Sequence, residues 1–168
     1  MKSSNKQSVQ KYDKKRWLVP MNEFVTTNDE GVTEYEYNEV IVESENAEDA
    51  IIKAKLAQID EYDTSENVNS FTYNGITTWM DKNTRAYVRG GVEAMIASGE
   101  ENYPLWLNDM CITLPCKQLI GMLNMLETYA VKCYDVTARH KANVGKLENT
   151  EDILTYDYKA GYPKRLAF

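Results

Sequence analysis

The sequence contains one histidine, three cysteines, four prolines and no long run of apolar residues. A single imidazole, that of His140, excludes most catalytic triads and most zinc sites, because both need it beside further ligands or orienting groups. The longest apolar runs, such as residues 17–21 and 40–42, are far shorter than the ~20 residues of a membrane span. Polar residues after Lys2 are not typical of a secretory signal peptide. We therefore expect no membrane partner.

The three cysteines are Cys111, Cys116 and Cys133. They have only His140 as a further soft ligand, so their number and spacing do not indicate a zinc site. We interpret all three as small buried hydrophobic residues in a protein made in a reducing cytoplasm.

Charge is unevenly distributed along the chain, whose formal net charge is −7. Residues 1–16 are basic, whereas residues 17–66 are strongly acidic. A basic arm attracts phosphates, but the acidic remainder predicts repulsion from a polyanion, so nucleic acid is not an expected partner. The arm has too little apolar surface to fold by itself, and we predict that a partner subunit orders it. The residues predicted to contact that partner are Lys11, Lys14, Lys15 and Arg16.

The segment that follows the arm has the pattern of a β-β-α unit. Residues 16–28 and 32–44 are predicted strands, joined by a polar turn that contains Gly31. Pro20 indicates that the first strand lies at an edge or is bulged. Asn46 is a predicted N-cap for a helix that continues to about residue 61, because apolar residues recur there at helical spacing.

Two hairpins, each followed by a helix, are predicted next. Asn74-Gly75 lies between β-branched and aromatic residues and is a strong hairpin signal, because both turn residues must accept positive φ. A helix capped by Asp81 or Thr84 follows it. A second hairpin covers residues 105–114, and Pro115 begins a long helix. These elements predict an α+β fold with three parts: a basic polar arm (1–16), a β-β-α unit (17–61) and an α+β module with a long helix and an extended tail (62–168).

The long helix, residues 115–147, carries an apolar seam at heptad spacing. The seam consists of Leu119, Leu123, Leu126, Ala130, Cys133, Thr137, His140, Val144 and Leu147. Such a helix is roughly 45–50 Å long, whereas a domain of this length is about 40 Å across. We therefore predict that its second half packs against another subunit; the alternative is a helix whose last turns lie in solvent. The predicted contact residues are Thr137, His140, Val144 and Leu147.

The C-terminal residues 158–168 are predicted to form an extended tail with aromatic side chains. Tyrosine and phenylalanine are enriched in protein interfaces. Tyr162 and Phe168 are therefore further predicted partner contacts.

No pattern in the chain indicates an active site or a bound cofactor. His140 lies in the helix seam, where packing explains it, and Gly90-Gly91 lacks the strand and the Lys-Ser/Thr of a phosphate-binding loop. No pair stands out among the 26 acidic residues as the two carboxylates of a glycoside hydrolase. We predict a non-enzymatic protein with no catalytic, metal-binding or cofactor-binding residues.

Several short motifs between residue 59 and the C-terminus form a specific pattern. They include Tyr62-Asp63-Thr64-Ser65, Asn74-Gly75-Ile76, Trp79 with Asp81 and Thr84-Arg85, Leu105-Trp106, Leu114-Pro115, Met122-Leu123, Tyr129-Ala130, Cys133-Tyr134, His140-Lys141-Ala142-Asn143-Val144, Tyr156-Asp157-Tyr158 and Gly161-Tyr162-Pro163. The pattern resembles a phage-associated family of unknown function found in tail-fibre regions of bacteriophages and in prophages of gut Bacteroidota, including crAss-like phages. The resemblance implies a virion or tail-associated structural module; it carries over no catalytic residue and does not extend to residues 1–58.

Together these features predict a non-enzymatic structural protein of a phage virion. We expect it to be made in the host cytoplasm and to act in the tail or as a fibre-attachment adaptor, in contact with other phage structural proteins and as a homo- or hetero-oligomer. Deletion of residues 2–15 is then expected to leave folding intact and to weaken incorporation. The alternatives are a fibre-assembly chaperone absent from the finished particle, or a small tail-associated glycan hydrolase with a carboxylate pair in a cleft.

Overall fold

The computed structural model describes residues 1–168 and confirms the predicted α+β class. In chain order the elements are β1 (Lys2–Ser3), β2 (Gln10–Lys11), β3 (Arg16–Thr27), β4 (Thr33–Glu43), α1 (Ala47–Thr64), β5 (Phe71–Tyr73), β6 (Ile76–Thr78), α2 (Lys82–Ala97), β7 (Asn102–Leu107), β8 (Met110–Pro115), α3 (Cys116–Val144), α4 (Thr150–Thr155) and β9 (Leu166–Ala167). The order of a hairpin followed by a helix occurs at β5–β6–α2 and at β7–β8–α3, as predicted, and also at β3–β4–α1. No helix is both long and apolar enough to cross a membrane.

The chain divides into two compact units, and each unit is built from two separate stretches of sequence. Unit 1 comprises Met1–Glu61 and Thr137–Ala160, and unit 2 comprises Tyr62–Val136 and Gly161–Phe168. The division after residue 61 coincides with a predicted boundary. The arm, however, is part of unit 1, and so are residues 137–160, which the sequence placed in the C-terminal module.

Unit 1 contains an antiparallel sheet with the strand order β1-β4-β3-β2. Its buried core combines residues of the sheet, α1, the end of α3 and α4: Val19, Met21, Ala50, Ile51, Ala54, Ile59, Val144 and Ile153. The pairing of β3 with β4 shifts register between Met21 and Phe24, where Asn22 has a φ of 54°. This irregularity follows Pro20 directly and confirms the bulge predicted there.

The N-terminal arm is ordered within its own chain, which corrects the prediction that a partner subunit orders it. Lys2–Ser3 pairs with β4, and Gln10–Lys11 pairs with β3. The Met1 ammonium donates to the Tyr37 carbonyl at 2.7 Å, and the Gln7 amide donates to the Tyr37 hydroxyl at 2.8 Å. Low apolar content did not leave the arm unfolded, because a preformed sheet edge supplies backbone hydrogen-bond partners.

Unit 2 contains two hairpins and the helices that follow them. In the β5–β6 hairpin, Asn74 and Gly75 have φ values of 47° and 82°, as the predicted turn requires. Asp81 caps α2 by accepting a hydrogen bond from the Thr84 amide at 2.7 Å. The main core residues are Phe71, Met80, Val88, Val92, Leu105, Leu107, Leu114, Cys116, Leu119, Met122, Leu123 and Leu126.

The C-terminal strand β9 completes the small sheet of unit 2. It pairs in parallel with β5, so that Phe71 lies opposite Leu166 and Thr72 opposite Ala167. The Phe168 amide donates to the Thr72 carbonyl at 2.9 Å. The tail is therefore part of the fold of unit 2.

Candidate functional site

The basic residues predicted as partner contacts lie together in one exposed turn between β2 and β3, which we call the basic turn (residues 11–16). Asp13 organises it by accepting hydrogen bonds from the Lys15 and Arg16 amides, each at 2.9 Å. The Arg16 guanidinium also donates to Asp13, and this holds the pKa of that carboxyl at about 2. The Lys11 ammonium lies 4.6 Å from the Trp17 ring centroid. The turn presents Lys14 and Lys15 to solvent.

The opposite end of the same strands, which we call the ribbon end (residues 22–38), has the reverse charge. It contains five acidic residues and no lysine or arginine. It also exposes three apolar side chains, since Phe24, Val25 and Val32 are 63, 50 and 45% accessible. From the sequence, this stretch was predicted only as two strands joined by a polar turn. The signal in the sequence is the apolar pair Phe24 and Val25 after Pro20, which belongs to neither core.

Two of the four predicted contacts on the second half of the long helix are core residues. Thr137 and Val144 are buried, which corrects their assignment as partner contacts, whereas Leu147 is half-buried and packs against the unit 1 core. The prediction assumed one domain about 40 Å across. Residues 116–136 of α3 instead belong to unit 2 and residues 137–144 to unit 1, and each part contributes buried seam residues to the core of its own unit.

His140, the fourth predicted helix contact, is held by groups of its own unit. Its Nε2 lies 2.9 Å from the Ala160 carbonyl, and its Nδ1 lies 2.9 Å from the Tyr156 hydroxyl. A carbonyl can only accept, so Nε2 carries a proton, and in the neutral ring Nδ1 accepts from Tyr156. This arrangement fixes the chain after α4 and leaves the imidazole in a structural role.

The aromatic residues of the tail pack against residues of their own unit. Both are half-buried, and their assignment as partner contacts stays a prediction. The Tyr162 ring packs edge-on against Tyr62 with centroids 5.5 Å apart. The Phe168 ring packs against Phe71 at 5.7 Å. The tail was predicted to be extended, and its short strand β9 is, but it contacts its own chain.

The cysteines differ in exposure, and one of them contradicts the sequence interpretation. Cys116 and Cys133 are buried as predicted, whereas Cys111 is exposed. Cys111 lies in β8, whose residues alternate between the core and solvent.

One thiol of three is expected to react rapidly with an aromatic disulfide reagent in the native protein. Burial raises the pKa of the Cys133 thiol, and a thiol reacts through its thiolate. The amount of aromatic thiolate released per chain, followed over time, should show one equivalent released rapidly. Cys111→Ser should remove this rapid phase. Fast reaction of the C111S protein would contradict the assigned burial.

A cleft in unit 1 is lined in part by a buried lysine. Its volume is about 420 Å³, and it is lined by Lys6, Gln7, Pro20, Asn22, Glu23, Tyr37, Lys55, Glu151, Leu154, Thr155, Tyr156, Asp157, Tyr158 and Lys159. Lys55, on α1, is only 2% exposed. Its ammonium donates to the Leu154 carbonyl at 2.8 Å and lies 5.4 Å from the Tyr158 ring centroid. We call this the Lys55 cleft.

The Lys55 cleft was not predicted from the sequence, although α1 carries two polar residues at positions of helical core spacing. Buried residues of α1 recur at helical spacing, and Lys55 takes one of these positions between Ile51 and Ile59. Gln58, one turn further on, donates to the Asn22 side-chain oxygen at 2.9 Å, and its own oxygen is buried without a partner. A lysine and a glutamine on the core face of a helix mark a polar site.

The stability of the protein is expected to increase with pH because of Lys55. Burial lowers the pKa of its ammonium from 10.5 to about 8, so the unfolded chain binds more protons between these values. The contribution of Lys55 to the free energy of unfolding is then lowest below about pH 8. The free energy of unfolding should rise by about 1–1.5 kcal/mol from about pH 7 to about pH 9. Urea denaturation at both pH values measures this rise. Lys55→Met should abolish this increment, whereas an unchanged pH dependence would contradict the assignment.

No group of three or more histidine, cysteine or acidic side chains is arranged to hold a metal ion. None of the known protein-family models matches the chain, and no curated protein or solved structure is similar to it.

Proposed function

We propose that the chain is a non-enzymatic structural protein of a phage particle, which acts through protein–protein contacts in the tail or at fibre attachment. The ribbon end supports the proposal, because Phe24 and Val25 are exposed among acidic residues, one on each face of the strand pair. Large exposed apolar side chains with acidic neighbours on both faces offer contacts to a protein partner. The resemblance of residues 59–168 to phage tail-fibre-region proteins supplies the context.

The partner that best fits the ribbon end is the basic turn of a second copy of the chain. The ribbon end offers Asp29, Glu30 and Glu34, and the basic turn offers Lys14 and Lys15. The two patches lie at opposite ends of the 12-residue strand β3, roughly 35–40 Å apart at the rise of a strand. They therefore cannot meet within one molecule, and a head-to-tail contact would produce a ring or a filament.

A charge swap tests this contact. The variant D29K/E30K/E34K gives the ribbon end three lysines against two acids, so that both ends are basic. The variant K14E/K15E makes both ends acidic. We expect wild-type protein to self-associate at low salt and less at high salt. Each variant alone should be monomeric, and an equimolar mixture should assemble again. Sedimentation velocity measures all four samples. A wild-type protein that remains monomeric at low salt would exclude the copy-to-copy contact and leave a different virion protein as the partner.

The assignment to the particle is tested by mass spectrometry of gradient-purified virions. We expect the chain to be present at a fixed ratio to the major capsid protein. Its abundance in infected cells together with its absence from mature particles would overturn the structural role and favour the assembly chaperone.

A further inference from the structure

We propose that the Lys55 cleft binds a small organic anion that carries a carboxylate beside an aromatic or apolar group. The cleft shares Asn22, Glu23 and Tyr37 with the ribbon end but contains none of the charged residues of the proposed copy-to-copy contact. This inference therefore does not depend on the proposed function. It rests on the position of a buried cation, on the walls around it and on the pairing of the charges at the rim.

The Lys55 ammonium has unused hydrogen-bonding capacity at the floor of the cleft. An ammonium has three N–H donors, and one of them is used by the Leu154 carbonyl. No carboxylate lies within 4 Å of the Lys55 nitrogen. A buried cation without an anion costs several kcal/mol. A ligand carboxylate would supply both the missing charge and two acceptors.

The walls of the cleft favour an aromatic or apolar body on the ligand. Tyr37, Tyr156 and Tyr158 contribute rings, and Pro20 and Leu154 contribute aliphatic surface. A volume of about 420 Å³ lies within the range of small-molecule sites. Apolar surface combined with a few polar and charged groups is the usual composition of such sites.

The other charges of the cleft leave Lys55 as the group that an anion would meet. At the rim the Lys6 ammonium lies 2.8 Å from Glu151 and 3.5 Å from Glu23, so these two acids already have a cation. The remaining rim charges, Asp157 and Lys159, are two residues apart and of opposite sign. The Asp157 carboxylate accepts a hydrogen bond from the Lys159 backbone amide at 2.9 Å. The lining contains three lysines and three acids. No excess of negative charge in the lining opposes an anion.

The competing explanation is that Lys55 only caps α4. The Leu154 carbonyl belongs to the last turn of that helix, where carbonyls lack intrahelical donors. A cap accounts for one N–H and for the contact with the helix end. It does not account for an open cleft above the ammonium, and the two explanations predict different behaviour towards added anions.

The test is isothermal titration of the full chain with benzoate, at a pH near 7 where the ammonium is mostly charged. Benzamide, which has the same ring without the charge, is the control ligand. Lys55→Met is the test variant, and Lys53→Met is the matched control, because Lys53 is exposed on the same helix and pairs with Asp49 at 2.7 Å. N-acetylphenylalanine carries the same chemistry as the end of a peptide and distinguishes a chain terminus from a free small molecule.

We expect benzoate to bind wild-type and K53M protein alike, and to bind K55M at least about tenfold more weakly. Benzamide should bind wild-type protein at least about tenfold more weakly than benzoate. Tighter binding of N-acetylphenylalanine than of benzoate would support the site with a chain terminus as its ligand. Absence of benzoate binding, equal binding to K55M, or competition by inorganic phosphate at equal strength would each overturn the proposal. The folded state of K55M is checked by its urea transition in the same buffer.

Discussion

Deletion of residues 1–11 is expected to lower the free energy of unfolding of unit 1 by about 3 kcal/mol. The deletion removes the pairings of β1 and β2 and both hydrogen bonds to Tyr37, a residue that is otherwise buried. Each such hydrogen bond contributes about 1 kcal/mol net, and the loss of Val9 removes apolar contact with the core. Urea denaturation followed by far-ultraviolet circular dichroism measures the change. This result would be the opposite of what the sequence predicted for the arm.

The matched control for the deletion is K14A/K15A, which removes positive charge from the basic turn without removing any strand pairing. Both side chains are exposed, and surface changes of this kind alter stability by no more than about 0.5 kcal/mol. If the truncated chain were as stable as the control, the strand pairings of the arm would contribute nothing, and the arm would need a partner after all.

Leu126→Ala is expected to destabilise unit 2 by about 3–4 kcal/mol. The Leu126 side chain is fully buried among the core residues of α3. Truncation of a buried leucine loses the transfer free energy of its methyl and methylene groups and leaves a cavity, which together cost about 2–5 kcal/mol. The tryptophans of unit 2, Trp79 and Trp106, provide a fluorescence signal for the urea transition.

Val131→Ala on the same helix is the control for Leu126→Ala. Val131 is 61% exposed, and alanine has a slightly higher helix propensity than valine. Its free energy of unfolding in urea should stay within about 0.5 kcal/mol of the wild-type value. Equal losses in both variants would mean that the seam of α3 is not the buried face of the helix.

The elements that could be predicted from the sequence are those determined by neighbouring residues. The Asn74-Gly75 turn needs two residues that accept positive φ, and the cap at Asp81 needs a side-chain oxygen three residues before an amide. The register shift between Met21 and Phe24 lies close to Pro20, a residue that is typical of edge and bulged strands. Each of these depends on a few adjacent residues, so a single sequence contains the information.

The features that the sequence did not reveal depend on residues far apart in the chain. The arm pairs with strands that begin later, and β9 pairs with β5 although Leu166 and Phe71 are 95 residues apart. Two-residue strands have too little pattern to be recognised before their partner is known. The use of the α3 seam by both units, rather than by another subunit, depends in the same way on which distant residues surround the helix.

The candidate site was missed for a related reason. A lysine at a core position of α1 becomes notable only when its surroundings are known, since long side chains commonly bury their stems and extend the charged group to water. In unit 1 the Lys55 ammonium instead ends at the Leu154 carbonyl, a residue 99 positions later. The basic turn, by contrast, was recognised as a charge cluster because its residues are contiguous.

The interleaving of the two units in the sequence has a consequence for synthesis on the ribosome. Unit 1 requires residues 137–160 and unit 2 requires residues 161–168. Neither unit is therefore complete until most of the chain has been translated. Contacts between distant residues also form slowly. Until residues 137–168 leave the exit tunnel, the core of unit 1 and the β6-β5-β9 sheet of unit 2 are incomplete. During that interval the apolar faces of β3, β4 and β5 are open to chaperones and to neighbouring nascent chains.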